Sequence, residues 1–130
     1  DHIKNSQISE YYSSDLFSIC LNKATTRGVA KPTNQLAQSL KTNPGDIIIL
    51  ASDDFEAPRN WDQWLLSKSQ IEPDKCLWVN DGFKPGGTIT IPILTHNCFV
   101  RLNQIIYHPS YNHEWSDAEL YDILKELDQA

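Results

Sequence analysis

The segment GDIIILASDDFEAP, residues 45–58, joins an uninterrupted apolar run to a cluster of acids. The apolar run, residues 47–51, is typical of a strand that helices cover on both faces in a parallel sheet. Ionised side chains are costly inside such a strand, so Asp53, Asp54 and Glu56 are expected just beyond its carboxyl end. In open α/β sheets, ligands bind at that edge.

The acidic cluster has two interpretations. Neighbouring carboxylates repel one another unless a cation neutralises them, and their oxygens suit a divalent metal that keeps several waters and bridges carboxylates to phosphates. The other interpretation is a solvated acidic turn at the start of a helix, where the helix dipole favours negative charge. Both remain open from these residues alone.

The composition limits the class of protein. With 130 residues and 40% hydrophobic content, residues 1–130 are expected to form one domain with a sizeable core. The net charge of -6 and the absence of a Lys/Arg cluster disfavour nucleic acid as a partner. The apolar runs are too short for an integral membrane segment. Three widely spaced cysteines without a CxxC pair indicate reduced thiols and a cytoplasmic protein.

Turn-forming residues divide the chain around the acidic segment into alternating helices and strands. Pro32 fits the first turn of a helix with Leu36, Ala37 and Leu40 on its inner face. Residues 76–81 have the pattern of another strand that ends in polar residues. This alternation favours an α/β fold in which helices flank a mostly parallel sheet.

Tryptophan and proline mark the two elements on either side of that second strand. Asn60 is expected to cap a helix in which Trp61 and Trp64 share a face, and their spacing favours a place in the core. Residues 88–94 alternate like a strand, but Pro92 lacks the N–H that a central strand needs. The pattern therefore predicts an edge strand or an irregular crossing there.

The last segment, SDAELYDILKELDQA, is the most regular helix pattern of the chain. Ser116 and Glu119 match a capping box at its start. Its apolar stripe consists of Leu120, Ile123, Leu124 and Leu127.

The order of these segments resembles that of a GT-A type nucleotide-sugar glycosyltransferase close to glycosyltransferase family 2. The segments are GVAKPTNQLAQ, DIIILASDDFE, NWDQWLL, VNDG, YHP and SDAEL. The resemblance implies a three-layer, Rossmann-like α/β fold with a mostly parallel sheet and flanking helices. It also implies an amino-terminal truncation, because the family's first nucleoside-binding strands have no counterpart. Residues 1–130 are accordingly expected to be the carboxyl-terminal part of a larger glycosyltransferase domain.

The resemblance implies inverting transfer of a sugar from a nucleoside diphosphate sugar to a hydroxyl of a glycan, lipid or small-molecule acceptor. Manganese or magnesium would neutralise the charge on the departing diphosphate. A truncated module that binds a nucleotide sugar or glycan without turnover is the alternative, and a nucleotidyltransferase-like enzyme ranks third. A sheet edge exposed by the missing strands would favour a homo-oligomer.

The site residues implied by the resemblance fall into four roles. They are Asp54 and His113 for the metal; Gly28, Lys31, Asn34 and Asp53 for the donor; Trp78, Asn80 and Asp81 for the acceptor; and Asp117 for the general base. The base would take the proton of the attacking hydroxyl. An acid at the position of Asp117 is also what the dipole of a helix start favours without any catalysis.

Overall fold

The computed structural model describes residues 28–52, 55–79, 88–112 and 114–127. The elements in these ranges are α1 (Ala30–Ser39), β1 (Ile47–Ile49), α2 (Trp61–Ile71), β2 (Cys76–Trp78), β3 (Pro92–Thr95), α3 (His96–Arg101) and α4 (Ser116–Glu126). Five residues with expected site roles lie outside the described residues. They are Asp53, Asp54, Asn80, Asp81 and His113.

The described strands form an antiparallel sheet in the order β1-β3-β2. Ile48 pairs with Leu94 on one side of β3, and Leu77 pairs with Ile93 on the other. The expectation of a three-layer, mostly parallel, Rossmann-like sheet is therefore wrong. Apolar runs reveal that strands are buried, but they carry no information on strand direction, and β3 returns between the two strands that precede it.

The antiparallel arrangement still brings one end of each of the three strands together. Because β1 and β2 each run against β3, they point in the same direction as one another. Their carboxyl ends lie beside the amino end of β3, where Ile49 pairs with Ile93 and Trp78 pairs with Pro92. Residues that follow β1 and β2 and residues that precede β3 consequently share one edge of the sheet.

The positions of β1 and β3 within the sheet differ from the expected ones. All residues of β3 are buried, and β3 is paired on both sides. Pro92 is tolerated because it is the first residue of the strand, and its carbonyl still accepts from the Leu50 N–H at 3.1 Å. The predicted edge position of Pro92 is wrong, and β1, expected to be central, is an outer strand of the described sheet with Ile49 exposed.

The core lies where α1, β3, α3 and α4 meet. Its buried residues are Ala30, Ala37, Cys76, Ile89, Leu94, Cys98, Phe99, Ile106, Tyr107, Leu120 and Leu124. Helix α1 faces this core with Ala30, Asn34 and Ala37, whereas Leu36 and Leu40 are exposed. Of the expected inner face, Ala37 is buried as predicted, whereas the prediction for Leu36 and Leu40 is wrong, and Leu40 is the C-cap residue. Pro32 lies within the first turn, where proline is tolerated.

Helix α2 has the expected position but not the expected packing. Trp61 and Trp64 are 42% and 50% exposed, so the prediction that they belong to the core is wrong. Leu65 is the residue of α2 that is buried. Asn60 is the N-cap residue, as expected, but its side chain makes no hydrogen bond to the described start of α2.

The hydroxyl of Thr95 connects the sheet to α3. It accepts a hydrogen bond from the Cys98 N–H at 3.3 Å, which caps the first turn of α3. The same hydroxyl donates to the carbonyl of Lys75 at 3.1 Å, just before β2 begins. Thr95 thus joins the end of β3, the start of β2 and the start of α3.

Candidate functional site

An open cavity of about 780 Å³ lies at the sheet edge where β1 ends and β3 begins. Most of its wall comes from three segments far apart in sequence: the start of α1, the residues after β1, and the start of α4 with the loop before it; Thr90 and Tyr107 complete the wall. The lining residues are Val29, Pro32, Thr33, Leu50, Ala51, Ser52, Phe55, Thr90, Tyr107, Glu114, Trp115, Ser116 and Asp117. Two acids expected at the donor and metal site, Asp53 and Asp54, follow Ser52 directly in sequence.

Gly28 allows a close approach, and the group that approaches belongs to the chain itself. Its φ of 110° lies in the left-handed region, and a Cβ atom there would overlap the carbonyl oxygen of Asn112. The same oxygen accepts from the Val29 N–H at 2.7 Å. The loop before α4 is therefore fixed against the start of α1, and donor binding at Gly28 stays a prediction.

Asn34 has a structural role that the sequence did not indicate. Its side chain is 8% exposed, and its Oδ1 accepts from the N–H groups of Ile106 and Tyr107 at 2.9 and 3.0 Å. Its Nδ2 donates to the Tyr107 carbonyl. Buried polar groups need hydrogen-bond partners. The hydrogen bonds of Asn34 hold the backbone of Tyr107 at the cavity wall.

The expected donor residues Lys31 and Asn34 do not line the same cavity as Asp117. They border a separate, smaller cavity of about 240 Å³ together with Gln35, Gln38, Ile105 and Pro109. Trp78 borders neither cavity and packs, half-buried, against the core. Their binding roles stay predictions.

Asp117 is the expected catalytic residue that lies at the main cavity. Its Oδ1 accepts from the Ala118 N–H at 3.0 Å, and its backbone carbonyl accepts from the Ile89 N–H at 3.4 Å. Both bonds fix the position of this residue between the start of α4 and the segment before β3. The carboxyl group is thereby held at the wall of the cavity.

The start of α4 differs from the capping box expected there. Trp115 is the N-cap residue, and Ser116 is already the first residue of the helix and is buried. A capping box requires the serine at the N-cap, so the predicted pairing with Glu119 is wrong. The Glu119 Oε2 atom is buried without a hydrogen-bond partner among the described residues.

Tyr107 is an ionisable group at the cavity that the sequence did not single out. Burial and, to a smaller extent, the negative charge of Asp117 together raise the pKa of Tyr107 to about 12. The phenol therefore keeps its proton at neutral pH.

Sequence reasoning also missed the two exposed aromatic residues of the cavity, Phe55 and Trp115. Phe55 lies within the acidic cluster, between Asp54 and Glu56, and Trp115 ends a loop that is dense in aromatic and imidazole groups, residues 107–115. This density of aromatic and imidazole residues was the sequence feature that could have indicated a binding surface. It did not distinguish the residue that faces the cavity from its neighbours.

The described wall of the cavity carries acids and no base. Glu114 and Asp117 are its charged residues, and none of the described lining residues is Lys or Arg. Carboxylate oxygens are the ligand type that magnesium and manganese prefer. Across residues 28–52, 55–79, 88–112 and 114–127, however, no group of three or more His, Cys, Asp or Glu side chains stands close enough to hold a metal ion.

Comparisons with known proteins do not assign a family. Neither family models, curated proteins nor solved structures give a match to the chain. In the part of the chain that the structure describes, none of the helices is long and apolar enough to cross a membrane.

Proposed function

We propose that this chain carries the acceptor side of a glycosyl transfer site, in which a sugar moves from a nucleoside diphosphate sugar to an acceptor hydroxyl. One observation carries the proposal. The cavity is bordered by the start of α1, by the residues that lead into the acidic cluster and by Asp117, which are three segments that resemble glycosyltransferase motifs. Their meeting at one cavity supports a shared site.

The proposed reaction assigns Asp117 as the general base. The acceptor oxygen forms a bond to the anomeric carbon while the bond from that carbon to the diphosphate oxygen breaks. The hydroxyl proton passes to the carboxylate of Asp117, and the bonding electrons leave with the diphosphate. Attack on the face opposite the leaving group inverts the anomeric centre.

A divalent metal would neutralise the charge that grows on the diphosphate. The described residues contribute carboxylates of the right type but do not complete a metal site by themselves. The proposal therefore relies on Asp54 and His113 as metal ligands, and on Asp53 at the donor.

The test measures release of nucleoside diphosphate from UDP and GDP sugars with manganese, in the presence of acceptor candidates. Asp117→Asn is expected to lower turnover by about 10²- to 10⁴-fold, the range of general base catalysis. Binding of UDP or GDP, followed by calorimetry, should persist because the backbone of Asp117 is unchanged. Asp122→Asn, an exposed acid on the same helix, is the matched control and should retain turnover.

The metal is tested separately by titrating UDP and GDP with and without manganese. Asp54→Ala is expected to abolish the metal-dependent part of the binding. Equal turnover in the Asp117→Asn variant and the parent chain would refute the role of the base. Saturable binding without any release of nucleoside diphosphate would instead identify a binding module.

A further inference from the structure

Two exposed aromatic side chains of the cavity have no role in the proposed transfer. Trp115 is 72% exposed and Phe55 is 48% exposed, and both line the cavity wall. Leaving such large apolar surfaces in water is unfavourable. Trp115 stands two positions before Asp117 in the sequence, so an aromatic surface adjoins the proposed base.

Local backbone preferences do not explain a tryptophan at this position. Trp115 is the N-cap of α4 with a left-handed φ of 68°, and its side chain makes no hydrogen bond to the described helix start. Asn60 occupies the same place in α2 with a φ of 62°. Asparagine is favoured both at N-caps and at positive φ, whereas tryptophan is favoured at neither. Residues that break local rules in this way are expected where function requires them.

The remaining lining indicates the chemistry of the ligand. Hydroxyl and carboxyl side chains, among them Ser52, Glu114 and Asp117, stand around the same cavity as the aromatic faces. Carboxylates accept hydrogen bonds from hydroxyl groups, and an aromatic face packs against apolar C–H surface. The two acids, without Lys or Arg in the described lining, would repel an anionic ring. A neutral ring that carries hydroxyls on its edge and C–H groups on its face meets all of these conditions.

We infer that Trp115 is the platform on which a neutral hexopyranose ring stacks, with Phe55 as a second apolar contact and a ring hydroxyl directed toward Asp117. That this ring is the acceptor rests on the proposed function. The stacking itself depends only on the cavity wall.

The first experiment follows binding of neutral methyl hexopyranosides: the glucoside, the galactoside, the mannoside and the N-acetylglucosaminide. Saturation-transfer NMR detects contact with the ring protons, and the indole N–H signals of the chain report which tryptophan is affected. At least one glycoside should bind and shift the Trp115 signal but not that of Trp64. Methyl glucuronide, the anionic counterpart, should bind more weakly than the neutral glucoside.

Trp115→Asn is the decisive variant because the chain itself accepts asparagine at the equivalent position, Asn60. Its circular dichroism and Tm should match those of the parent chain, while glycoside binding weakens at least 10-fold. Trp115→Phe should restore part of the affinity. Trp64→Asn removes an exposed tryptophan outside the cavity and should leave binding unchanged.

Several results would overturn the inference. These are the absence of binding by any of the neutral glycosides, an unmoved Trp115 signal, unchanged affinity in Trp115→Asn, or equal losses in Trp115→Asn and Trp64→Asn. Failure of the proposed function has a different signature. If glycoside binding depends on Trp115 but no nucleotide sugar is turned over, the proposed function is refuted and the stacking role of Trp115 stands. If turnover occurs and Trp115→Asn leaves the acceptor KM unchanged, the stacking role is refuted and the proposed function stands.

Discussion

Helices α2 and α4 have the same length, 11 residues, but opposite relations to the core. Helix α4 buries Leu120 and Leu124 completely, whereas α2 buries Leu65 and exposes Trp61 and Trp64. The apolar residues of both helices have helical spacing. Spacing therefore defines a face of a helix, while most of the stability of the helix comes from the packing of that face against a partner.

The largest effect is expected from alkaline pH, because the core that α4 covers contains buried acids of high pKa. Burial raises the pKa of the Cys76 and Cys98 thiols to about 12 from 9.0, and that of Tyr107 to about 12 from 10.0. Between about pH 8 and 12 these groups release protons in the unfolded chain that the folded chain retains. Their contribution to the free energy of unfolding should therefore be fully present below about pH 8 and fall steadily above it.

Urea unfolding at pH 8, 9, 10 and 11, followed by circular dichroism, measures this dependence. The Cys76→Ala/Cys98→Ala double variant should show a shallower fall between pH 8 and 9, where the thiols begin to ionise in the unfolded chain and Tyr107, with an unfolded pKa of 10.0, remains almost fully protonated. Equal slopes in the two proteins would contradict the assignment to the thiols.

The next largest effect is expected from Leu124→Ala in α4. Leu124 is fully buried in the main core, so its truncation should lower the free energy of unfolding by about 2–5 kcal/mol. Leu65→Ala in α2 is the matched comparison. Since Leu65 lies outside that core cluster, a smaller loss is expected. Equal losses in urea denaturation would mean that α2 is packed as firmly as α4.

The smallest effect is expected from Trp64→Ala. Half of this side chain already faces solvent, so the free energy of unfolding should change by about 0.5 kcal/mol or less. Thermal unfolding monitored at a wavelength insensitive to tryptophan gives the measurement. A loss as large as that of a core leucine would show that the face of α2 is covered in solution.

The sequence predicts the helices better than the sheet, for a physical reason. The positions of α2 and α4 follow from local periodicity, which depends on residues within a few turns of one another. Strand direction depends on β3, which lies more than 40 residues from β1 along the chain. An apolar run such as that of β1 is compatible with either direction, and with an outer as well as a central position.

The candidate site was predicted in part. Asp117 lies at the main cavity, but Lys31 and Asn34 face a different one. Asn34 illustrates why: its amide is used by the backbone of Ile106 and Tyr107, residues 72 and 73 positions away. A motif places a polar residue on a helix, but tertiary contacts decide whether its hydrogen bonds go to a ligand or to the protein.

The hydroxyl of Thr95 has a consequence for folding fidelity. If β3 slipped by one residue against its neighbours, Thr95 would turn to the opposite face of the sheet. Its hydroxyl would then lose the Lys75 carbonyl, a partner 20 residues away just before the neighbouring strand β2, whereas its bond from the Cys98 N–H is local to one segment. The hydroxyl that caps α3 therefore also favours the native register of β3 against β2 through its bond to Lys75.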